Sequence, residues 1–207
     1  MYLYGASGHA KVIIDILKDQ NIAIDGLFDD DFTVNELSGF RVNHIIEGAL
    51  TAPLIICIGE NAHRAGISKK LNCKFGRAIH STAIVSPTSN IGEGTVVIQG
   101  SIIQAEAVIG NHVIINTGAS VGHECIISDF VHVSPHATLC GNVIVGEGTH
   151  IGAGAVVIPN IIVGKWCKIG AGTVVIKDVP DNSILVGNPG KIVTGSRSAI
   201  ENLNSEF

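Results

Sequence analysis

The chain of 207 residues has few aromatic side chains, few charges and no long apolar run. Aromatic residues make up 4% of the sequence and charged residues 15%, whereas 46% is hydrophobic and glycine occurs 25 times. A helical protein with a large aromatic core would have a different composition, and so would a disordered acidic segment. Many short strands joined by tight turns fit these figures.

Three further absences exclude whole classes of function. The net charge is −5, whereas nonspecific nucleic-acid binding needs a basic surface. No stretch approaches the roughly 20 apolar residues of a membrane helix, and the first residues do not form a signal peptide. We therefore expect a cytoplasmic protein without nucleic-acid or membrane partners. An odd number of cysteines and no C-x-x-C motif indicate reduced thiols: Cys57, Cys73, Cys125, Cys140 and Cys167.

A period of six residues dominates the second part of the chain. Beginning at Val85, every sixth residue is aliphatic, sixteen times in succession, which a frequency of roughly 30% does not produce by chance. The series is Val85, Ile91, Val97, Ile103, Ile109, Ile115, Val121, Ile127, Val133, Leu139, Val145, Ile151, Val157, Val163, Ile169 and Val175. Glycine often follows directly, at Gly92, Gly110, Gly122, Gly146, Gly152, Gly164 and Gly170.

This period predicts a triangular solenoid with one hexapeptide on each face and three in each coil. The aliphatic residue points inward and stacks on its equivalent eighteen residues later, at about 4.8 Å. We expect the glycines to permit the corners, where a positive φ is often needed. Residues 91–180 then form about five coils without an insertion.

Residues 1–75 lack the six-residue period and have a βαβ pattern. Strands are predicted over 2–4, 24–28 and 54–58, the last as a continuous apolar run typical of a buried parallel strand. An amphipathic helix is predicted over 11–19, and a second helix ends near Leu71.

A glycine loop follows the first strand. Gly5-Ala6-Ser7-Gly8-His9 would place backbone N–H groups at a helix N-terminus, where phosphate binds readily. Asp29 follows Gly8 by 21 residues, the distance at which an acid of a dinucleotide-binding fold meets a ribose. The loop is shorter than G-x-G-x-x-G, so a plain tight turn is an equal alternative.

The hexapeptide series and the closing segment 179–191 resemble the hexapeptide-repeat acyltransferases. That resemblance implies a left-handed parallel β-helix and a homotrimer. The Tyr-Gly-Ala-Ser-Gly-His-Ala segment, the aspartate pair and Ile-Gly-Glu-Asn resemble one subgroup, the UDP-4-amino-sugar N-acetyltransferases and sialic acid O-acetyltransferase-like proteins. It implies a Rossmann-like nucleotide-sugar-binding domain over 1–78, a β-helix acyltransferase domain over 79–193 and a tail over 194–207.

The resemblance also implies the site residues and acetyl-CoA as co-substrate. Residues 123–134 resemble the subgroup's catalytic segment, with His123 as the base and Glu124 raising its basicity. Acetyl-CoA would contact His132, Ala153 and Ala171. The nucleotide sugar would contact Ser7, Gly8, His9, Asp29, Asp30 and Gly59.

The chemistry of acetyl transfer independently favours His123 and Glu124. Transfer from a thioester needs a base for the attacking amine or hydroxyl, and neutral histidine, with an ordinary pKa near ~6.5, is suited to this. A carboxylate orients such a ring. Successive residues on a strand point oppositely, so contact between the two requires a corner or a neighbouring chain. His132 lies half a coil from His123, which predicts a site shared between subunits.

Several alternatives remain open at this level. A sialic acid hydroxyl would use the same base as a sugar amine. A γ-type carbonic anhydrase needs three zinc-bound histidines, two of them five residues apart; His132 and His136 are four apart, so no metal is expected. An inactive scaffold can share the fold. CoA phosphates could meet lysines that are otherwise simply solvated, namely Lys165, Lys168, Lys177 and Lys191.

Overall fold

The computed structural model describes residues 1–46 and 48–193. The N-terminal domain is a five-stranded sheet with two helices, and the sheet order is β3-β4-β2-β1-β5. Its elements are β1 (Tyr2–Tyr4), α1 (Gly8–Asp19), β2 (Gly26–Phe28), β3 (Glu36–Leu37), β4 (Phe40–Asn43), β5 (Leu54–Ile56) and α2 (Asn61–Lys70). Strand β1 lies between β2 and β5, and both pairings are parallel.

The predicted βαβ pattern is confirmed, with differences in bounds and one additional hairpin. Strand β2 begins at Gly26 rather than at residue 24, and β5 ends at Ile56 rather than at residue 58. Helix α1 begins at Gly8, three residues earlier than predicted, because the loop after β1 runs directly into it. The β3–β4 hairpin was not predicted. It turns through Ser38 and Gly39, both with positive φ, and of its strand residues only Val42 is buried, so its apolar signal is weak.

The rest of the described chain is a parallel solenoid of very short strands. In chain order these are β6 (Ala78–Ile79), β7 (Ile84–Val85), β8 (Asn90–Ile91), β9 (Val96–Val97), β10 (Ile102–Ile103), β11 (Val108–Ile109), β12 (Ile114–Ile115), β13 (Ser120–Val121), β14 (Ile126–Ile127), β15 (His132–Val133), β16 (Thr138–Leu139), β17 (Ile144–Val145), β18 (His150–Ile151), β19 (Val156–Val157), β20 (Ile162–Val163), β21 (Lys168–Ile169), β22 (Val174–Val175), β23 (Ile184–Val186) and β24 (Lys191–Ile192).

The strands form three sheets, which are the three faces of the solenoid. Face 1 contains β6, β9, β12, β15, β18, β21, β23 and β24; face 2 contains β7, β10, β13, β16, β19 and β22; face 3 contains β8, β11, β14, β17 and β20. From β6 to β22 strands pair in parallel with the strand eighteen residues later, as Ile103 does with Val121. At the end of face 1, β21 pairs with β23 sixteen residues later, and β24 pairs antiparallel with β23. A small α/β domain followed by a parallel β-helix, as predicted, is therefore confirmed. Strand β6 begins beside the predicted boundary at residue 78, and that boundary stays a prediction.

The predicted aliphatic series forms the solenoid core. From Val97 to Val175 every member is at most 2% exposed, and Val85 and Ile91 pack partly buried against the first coils. Burying one such side chain contributes about 1.5–3 kcal/mol, so stacking coils supplies much of the stability. The five cysteines are all free thiols.

The expectation that the glycines after the aliphatic residues adopt positive φ was wrong. Positive φ occurs two residues further on, at Gly94 and Glu124 among others. The glycines are needed because adjacent coils approach closely. A Cβ on Gly92 would lie 2.5 Å from the carbonyl carbon of Gly110, and a Cβ on Gly152 would lie 2.5 Å from the carbonyl oxygen of Ile169.

The N-terminal domain docks on face 1. The outward residues Ala78, Val96 and Ile114 share one buried cluster with the apolar side of α1. Further along the same ladder the outward residues are His132 and His150. No helix within the described ranges is long and apolar enough to cross a bilayer. The predicted tail over 194–207 lies outside the described residues.

Candidate functional site

A cavity of about 570 Å³ lies between the two domains, where the outward ladder of face 1 changes from aliphatic residues to histidine. The N-terminal domain contributes the turn after β5, and the solenoid contributes face 1 and the corner that precedes it. The lining residues are Gly59, Glu60, Asn61, Ala62, His132, Gly148, His150, Trp166, Cys167 and Lys168.

The two histidines of this cavity stack on adjacent coils, as their eighteen-residue spacing predicts. Their ring centroids are 4.8 Å apart. Nε2 of His132 accepts from the Asn116 side-chain amide at 3.0 Å, and Nε2 of His150 lies 2.9 Å from Oγ of Ser134. Burial, and next the neighbouring His150, lower the pKa of His132 to about 3. Both rings are therefore uncharged hydrogen-bonding groups near neutral pH, because burial also lowers the pKa of His150.

Arg64 of α2 holds the cavity's N-terminal wall against the solenoid. It is buried, and burial lowers its pKa to about 10, so it remains charged near neutral pH. All five N–H donors of the guanidinium are used, and none goes to a carboxylate. They bind the carbonyl oxygens of His112 (2.8 Å), Ile58 (2.9 Å), Gly59 (3.1 Å) and Phe130 (2.9 Å), and Oδ1 of Asn61 (2.9 Å).

Asn61 completes this junction from the first turn of α2. Its amide nitrogen donates to the carbonyl oxygens of Gly148 and Thr149, at 3.1 and 3.3 Å. The helix also begins with an acidic cap, since the side chain of Glu60 accepts from the backbone N–H of Ala62 at 3.1 Å. Neither Arg64 nor Asn61 was predicted from the sequence as a site residue. Asn61 stood in the Ile-Gly-Glu-Asn segment, but no local pattern marked Arg64.

A smaller cavity of about 210 Å³ lies at the carboxyl ends of β1 and β2. It brings together three predicted substrate residues, Ser7, Asp29 and Asp30. Asp29 ties the two strand ends together, since Oδ2 accepts from the backbone N–H of Ala6 and Oδ1 from that of Asp31, at 2.5 and 2.8 Å. The remaining lining residues are Tyr4, Gly5, Ile58 and His63.

Asp30 is held by the hydroxyl of Tyr4, which donates to its Oδ1. Burial, and next this hydrogen bond, raise the pKa of Tyr4. Ser7 is the N-cap of α1, and its side chain makes no capping hydrogen bond. The helix N-terminus at Gly8 therefore faces the strand ends without a side-chain cap, an arrangement suited to an anion.

The other predicted substrate residues lie elsewhere. Gly59 lines the larger cavity, one residue beyond Ile58 of the smaller one. His9 does not line either cavity. It lies on the first turn of α1, where burial, and next the charge of Arg64, lower its pKa to about 4.

His123 and Glu124 form a direct pair at the corner between faces 2 and 3. Nδ1 of His123 lies 2.9 Å from Oε2 of Glu124, and the two side chains are 58% and 59% exposed. Neighbouring residues meet in this way because Glu124 has a φ of +59°, which turns the chain. The corner lies opposite face 1, so the pair lines neither cavity of this chain.

Ala153 and Ala171, predicted to contact acetyl-CoA, occupy the corner between faces 1 and 2 on successive coils. Both are exposed, and the carbonyl oxygen of Ala153 accepts from the N–H of Gly172 at 2.8 Å. Of the four lysines, Lys168 lines the larger cavity, and Lys177 and Lys191 line a separate cavity near the end of the solenoid. Within the described residues no group of three or more His, Cys, Asp or Glu side chains is placed to hold a metal ion.

A small α/β domain on a hexapeptide solenoid, with a histidine–carboxylate pair at one corner, defines the class of hexapeptide-repeat transferases. Residues 1–71 match the PglD N-terminal domain, and residues 142–177 match the bacterial transferase hexapeptide (six repeats). The chain is 35% identical to a point mutant of perosamine N-acetyltransferase from Caulobacter crescentus, solved in complex with CoA and GDP-perosamine. That match covers 94% of this chain and 96% of the other, with a TM-score of 0.90.

Two further matches are these. The acetyltransferase domain of PglB from Neisseria gonorrhoeae, in complex with acetyl coenzyme A, is 34% identical over 93% of this chain and 98% of that one, with a TM-score of 0.84. An uncharacterized protein of Acanthamoeba polyphaga mimivirus is 35% identical over 101 residues, and the chain spans only 21% of that curated relative. The chain belongs to the PglD-type hexapeptide-repeat acetyltransferase family, which confirms the resemblance seen in its sequence.

The buried histidines at the domain junction predict acid sensitivity. His112 stacks on Phe130 and meets the edge of Phe75, and its Nδ1 has no hydrogen-bond partner among the described residues. Burial, and next Arg64, lower the pKa of His112 to about 4. A histidine whose folded-state pKa lies below its unfolded value near ~6.5 takes up a proton on unfolding. The free energy of unfolding therefore falls as the pH drops from about 6.5 towards 4.

Replacing His112 by Phe should remove part of this decrease in the free energy of unfolding at low pH. Phenylalanine fits, because Phe130 has the same left-handed φ at the same position of the next coil. The melting temperature of His112→Phe should rise more at pH 5 than at pH 8, measured by circular dichroism. The exposed His136, which has a similar φ at another corner, is the control, and His136→Phe should leave the pH dependence unchanged. If the melting temperatures of His112→Phe and the wild type changed with pH in parallel, the prediction would be contradicted.

Proposed function

We propose that this protein transfers the acetyl group of acetyl-CoA to the amine of a nucleotide-linked 4-amino sugar. The observation that carries the proposal is the exposed His123–Glu124 pair, with one ring nitrogen left free. It stands on a chain that is 35% identical, over 94% of its length, to an N-acetyltransferase solved with CoA and GDP-perosamine.

The pair has the geometry of a general base. An ionised carboxylate only accepts hydrogen bonds, so Nδ1 of His123 donates to Glu124 and Nε2 carries the free lone pair. The sugar amine attacks the thioester carbonyl carbon while Nε2 takes a proton from the amine. The C–S bond then breaks, an amide is formed, and the CoA thiolate receives the proton back from the ring. Glu124 stabilises the transient imidazolium.

His132 is unsuited to the role of base. With a pKa of about 3 it holds a proton too weakly to take one from an amine near neutral pH. A neutral, hydrogen-bonding ring fits a contact with acetyl-CoA, which is the role we assign to His132. Ala153 and Ala171 would contact the same co-substrate through their backbone, because an alanine side chain offers no polar atom. Lys168 is the lysine nearest this site and could meet a phosphate.

We assign the nucleotide to the smaller cavity and the sugar to the turn between the two cavities. The N-terminus of α1 at Ser7 and Gly8 offers N–H groups for the diphosphate, beside Asp29 and Asp30. Because Ile58 lines the smaller cavity and Gly59 the larger, a ligand that follows this turn reaches both. His9 would act indirectly, since it is half-buried near Arg64 and lines neither cavity.

The position of His123 supports a site shared between subunits of a homotrimer. The base lies at the corner opposite face 1, whereas the cavities and His132 lie on the face 1 side. One chain therefore does not bring the base to its own substrate cavity, and a neighbouring copy would have to supply it.

Face 3 is the surface we assign to that contact. Its outward residues form an aliphatic ladder in register, Val108, Ile126, Ile144 and Ile162, and the first, second and fourth are 44%, 46% and 50% exposed. Burying such a ladder between copies would be favourable. Each residue of the ladder lies on the strand that follows the corner between faces 2 and 3, where His123 is found. The free thiols and a co-substrate of central metabolism fit the predicted cytoplasmic location.

The first test is release of free thiol from acetyl-CoA with a panel of acceptors. We expect turnover with one of the UDP-, dTDP- or GDP-linked 4-amino sugars, because the N-terminal domain provides a nucleotide site. Free and CMP-linked sialic acid are the matched alternatives, which use a hydroxyl and the same base. Turnover with sialic acid alone would overturn the amine acceptor and the nucleotide site but keep the His123 mechanism.

Substitution of the pair tests the base. His123→Ala should lower the acetyl-transfer rate by at least ~10²-fold and leave the oligomer intact, because the exposed ring is not part of the core. Glu124→Gln should lower the rate less, since an amide still orients the ring but does not stabilise its charge. His136→Ala, another exposed corner histidine, serves as control. Near-normal turnover in His123→Ala would remove this residue from its role.

Substitution on face 3 tests the shared site. Ile126→Asp should convert the trimer to monomers in light scattering, with loss of activity but with the circular dichroism spectrum of the folded solenoid. The control is Ile84→Asp, which places the same charge at an exposed isoleucine of face 2. A trimeric Ile126→Asp variant, or a monomeric variant with full activity, would contradict the proposal.

A further inference from the structure

The ring of His123 lies against Gly141 of the next coil. Gly141 follows His123 by eighteen residues, so the two occupy the same corner position on adjacent coils. A Cβ placed on Gly141 would lie 2.4 Å from Nε2 and 2.5 Å from Cε1 of the imidazole, distances at which atoms overlap. The ring therefore occupies space that any side chain at residue 141 would need.

The repeat shows that a glycine is unusual at this position. In the fifteen remaining hexapeptides of the series, the position two residues after the inward aliphatic residue carries a side chain. These residues are Pro87, Glu93, Gln99, Ala105, Asn111, Thr117, His123, Asp129, Pro135, Glu147, Ala153, Pro159, Lys165, Ala171 and Lys177. Of the sixteen residues at this position, only Gly141 is a glycine, and it lies on the coil directly after the candidate base.

The backbone itself does not require glycine here. Gly141 is not among the residues with positive φ, and alanine is present at the same corner position in Ala105 of the coil before His123. The glycines that the close approach of coils requires are a different set, which directly follows the inward residues. At Gly141 the nearest atoms that a Cβ would meet are all in the His123 ring.

The backbone around Gly141 is held in place, so the ring and not the chain would yield to a side chain. The N–H of Asn142 donates to the carbonyl oxygen of His123 at 2.9 Å, and the N–H of Asn160 donates to that of Gly141 at 3.1 Å. The side chains of Asn142 and Asn160 are also joined, at 2.9 Å. The imidazole, by contrast, is more than half exposed and can rotate.

We propose that Gly141 is a positioning residue for His123: the missing side chain gives the imidazole a place on the next coil, with Nδ1 on Glu124 and Nε2 open to the acceptor. The inference rests on the proposed function of His123. A side chain at residue 141 would turn the ring, break its contact with Glu124 and move the atom that takes the proton. The substitution would therefore impair proton transfer without disturbing the packing of the hydrophobic core.

Kinetics of Gly141→Ala form the first part of the test. We expect kcat to fall at least ~10-fold, because small displacements of a catalytic group have large effects on rate. The KM for acetyl-CoA, the oligomeric state and the melting temperature should change little, because alanine is accepted at this corner position. Gly66→Ala is the control, since Gly66 is exposed and a Cβ there meets no atom within 4 Å. Wild-type kcat in Gly141→Ala would overturn the inference.

Nitrogen NMR of histidine-labelled protein reads the ring directly and needs no substrate. The geometry of the pair predicts that His123 carries its proton on Nδ1 and that Nε2 is unprotonated. The His123 signals are assigned by their loss in His123→Ala. Gly141→Ala should shift this tautomer balance towards Nε2–H, because the ring leaves Glu124. Unchanged His123 signals in Gly141→Ala would show that the ring does not depend on residue 141.

A double-mutant comparison separates this inference from the proposed function. If Gly141 acts through His123, Gly141→Ala should have no further effect on the rate of a His123→Ala background. A further several-fold loss there would show that Gly141 acts by another route and would overturn the inference. If His123→Ala itself retained normal turnover, the base assignment would fail, whereas the NMR result would still report whether Gly141 positions the ring.

Discussion

The stacking of one coil on the next is the constraint on which the rest of the molecule depends. Coils approach so closely that the residue after each inward aliphatic side chain is often glycine, and from β6 to β22 each strand pairs with the strand eighteen residues away. That spacing also aligns the candidate functional groups. His132 lies under His150, Ala153 under Ala171, and His123 under Gly141, so the solenoid fixes each group by its neighbour on the next coil.

A second constraint is the buried charge at the domain junction. Arg64 donates to four backbone carbonyl oxygens and one side-chain amide oxygen, and none of these hydrogen bonds goes to a carboxylate. Leaving buried donors unpaired is costly, so this network holds the turn at Gly59 in one place relative to the solenoid. The same charge, added to burial, keeps the nearby histidines uncharged. The larger cavity therefore carries little positive charge from its imidazoles.

The candidate site is divided between opposite sides of the solenoid. The cavities and His132 lie with the N-terminal domain on face 1, whereas His123 and Glu124 lie at the corner between faces 2 and 3. A triangular cross-section keeps these positions apart within one chain, and the exposed aliphatic ladder of face 3 offers a way to bring them together between chains. Each chain would then bind ligands in its own cavities, whereas catalysis would also require the base of a neighbouring chain.

The sequence by itself determined the architecture of the solenoid, because a six-residue period translates directly into faces, inward residues and an eighteen-residue register. Spacing also predicted the stacked His132 and His150, whereas His123 and Glu124 were predicted from the family resemblance and from the need for a base; their direct contact depends on the positive φ of Glu124. Only the tertiary structure decided which predicted substrate residues share a cavity, why glycine follows the inward residues, and that Arg64 joins the domains. Those features depend on how closely distant backbone segments approach one another, and no local pattern in the chain records that distance.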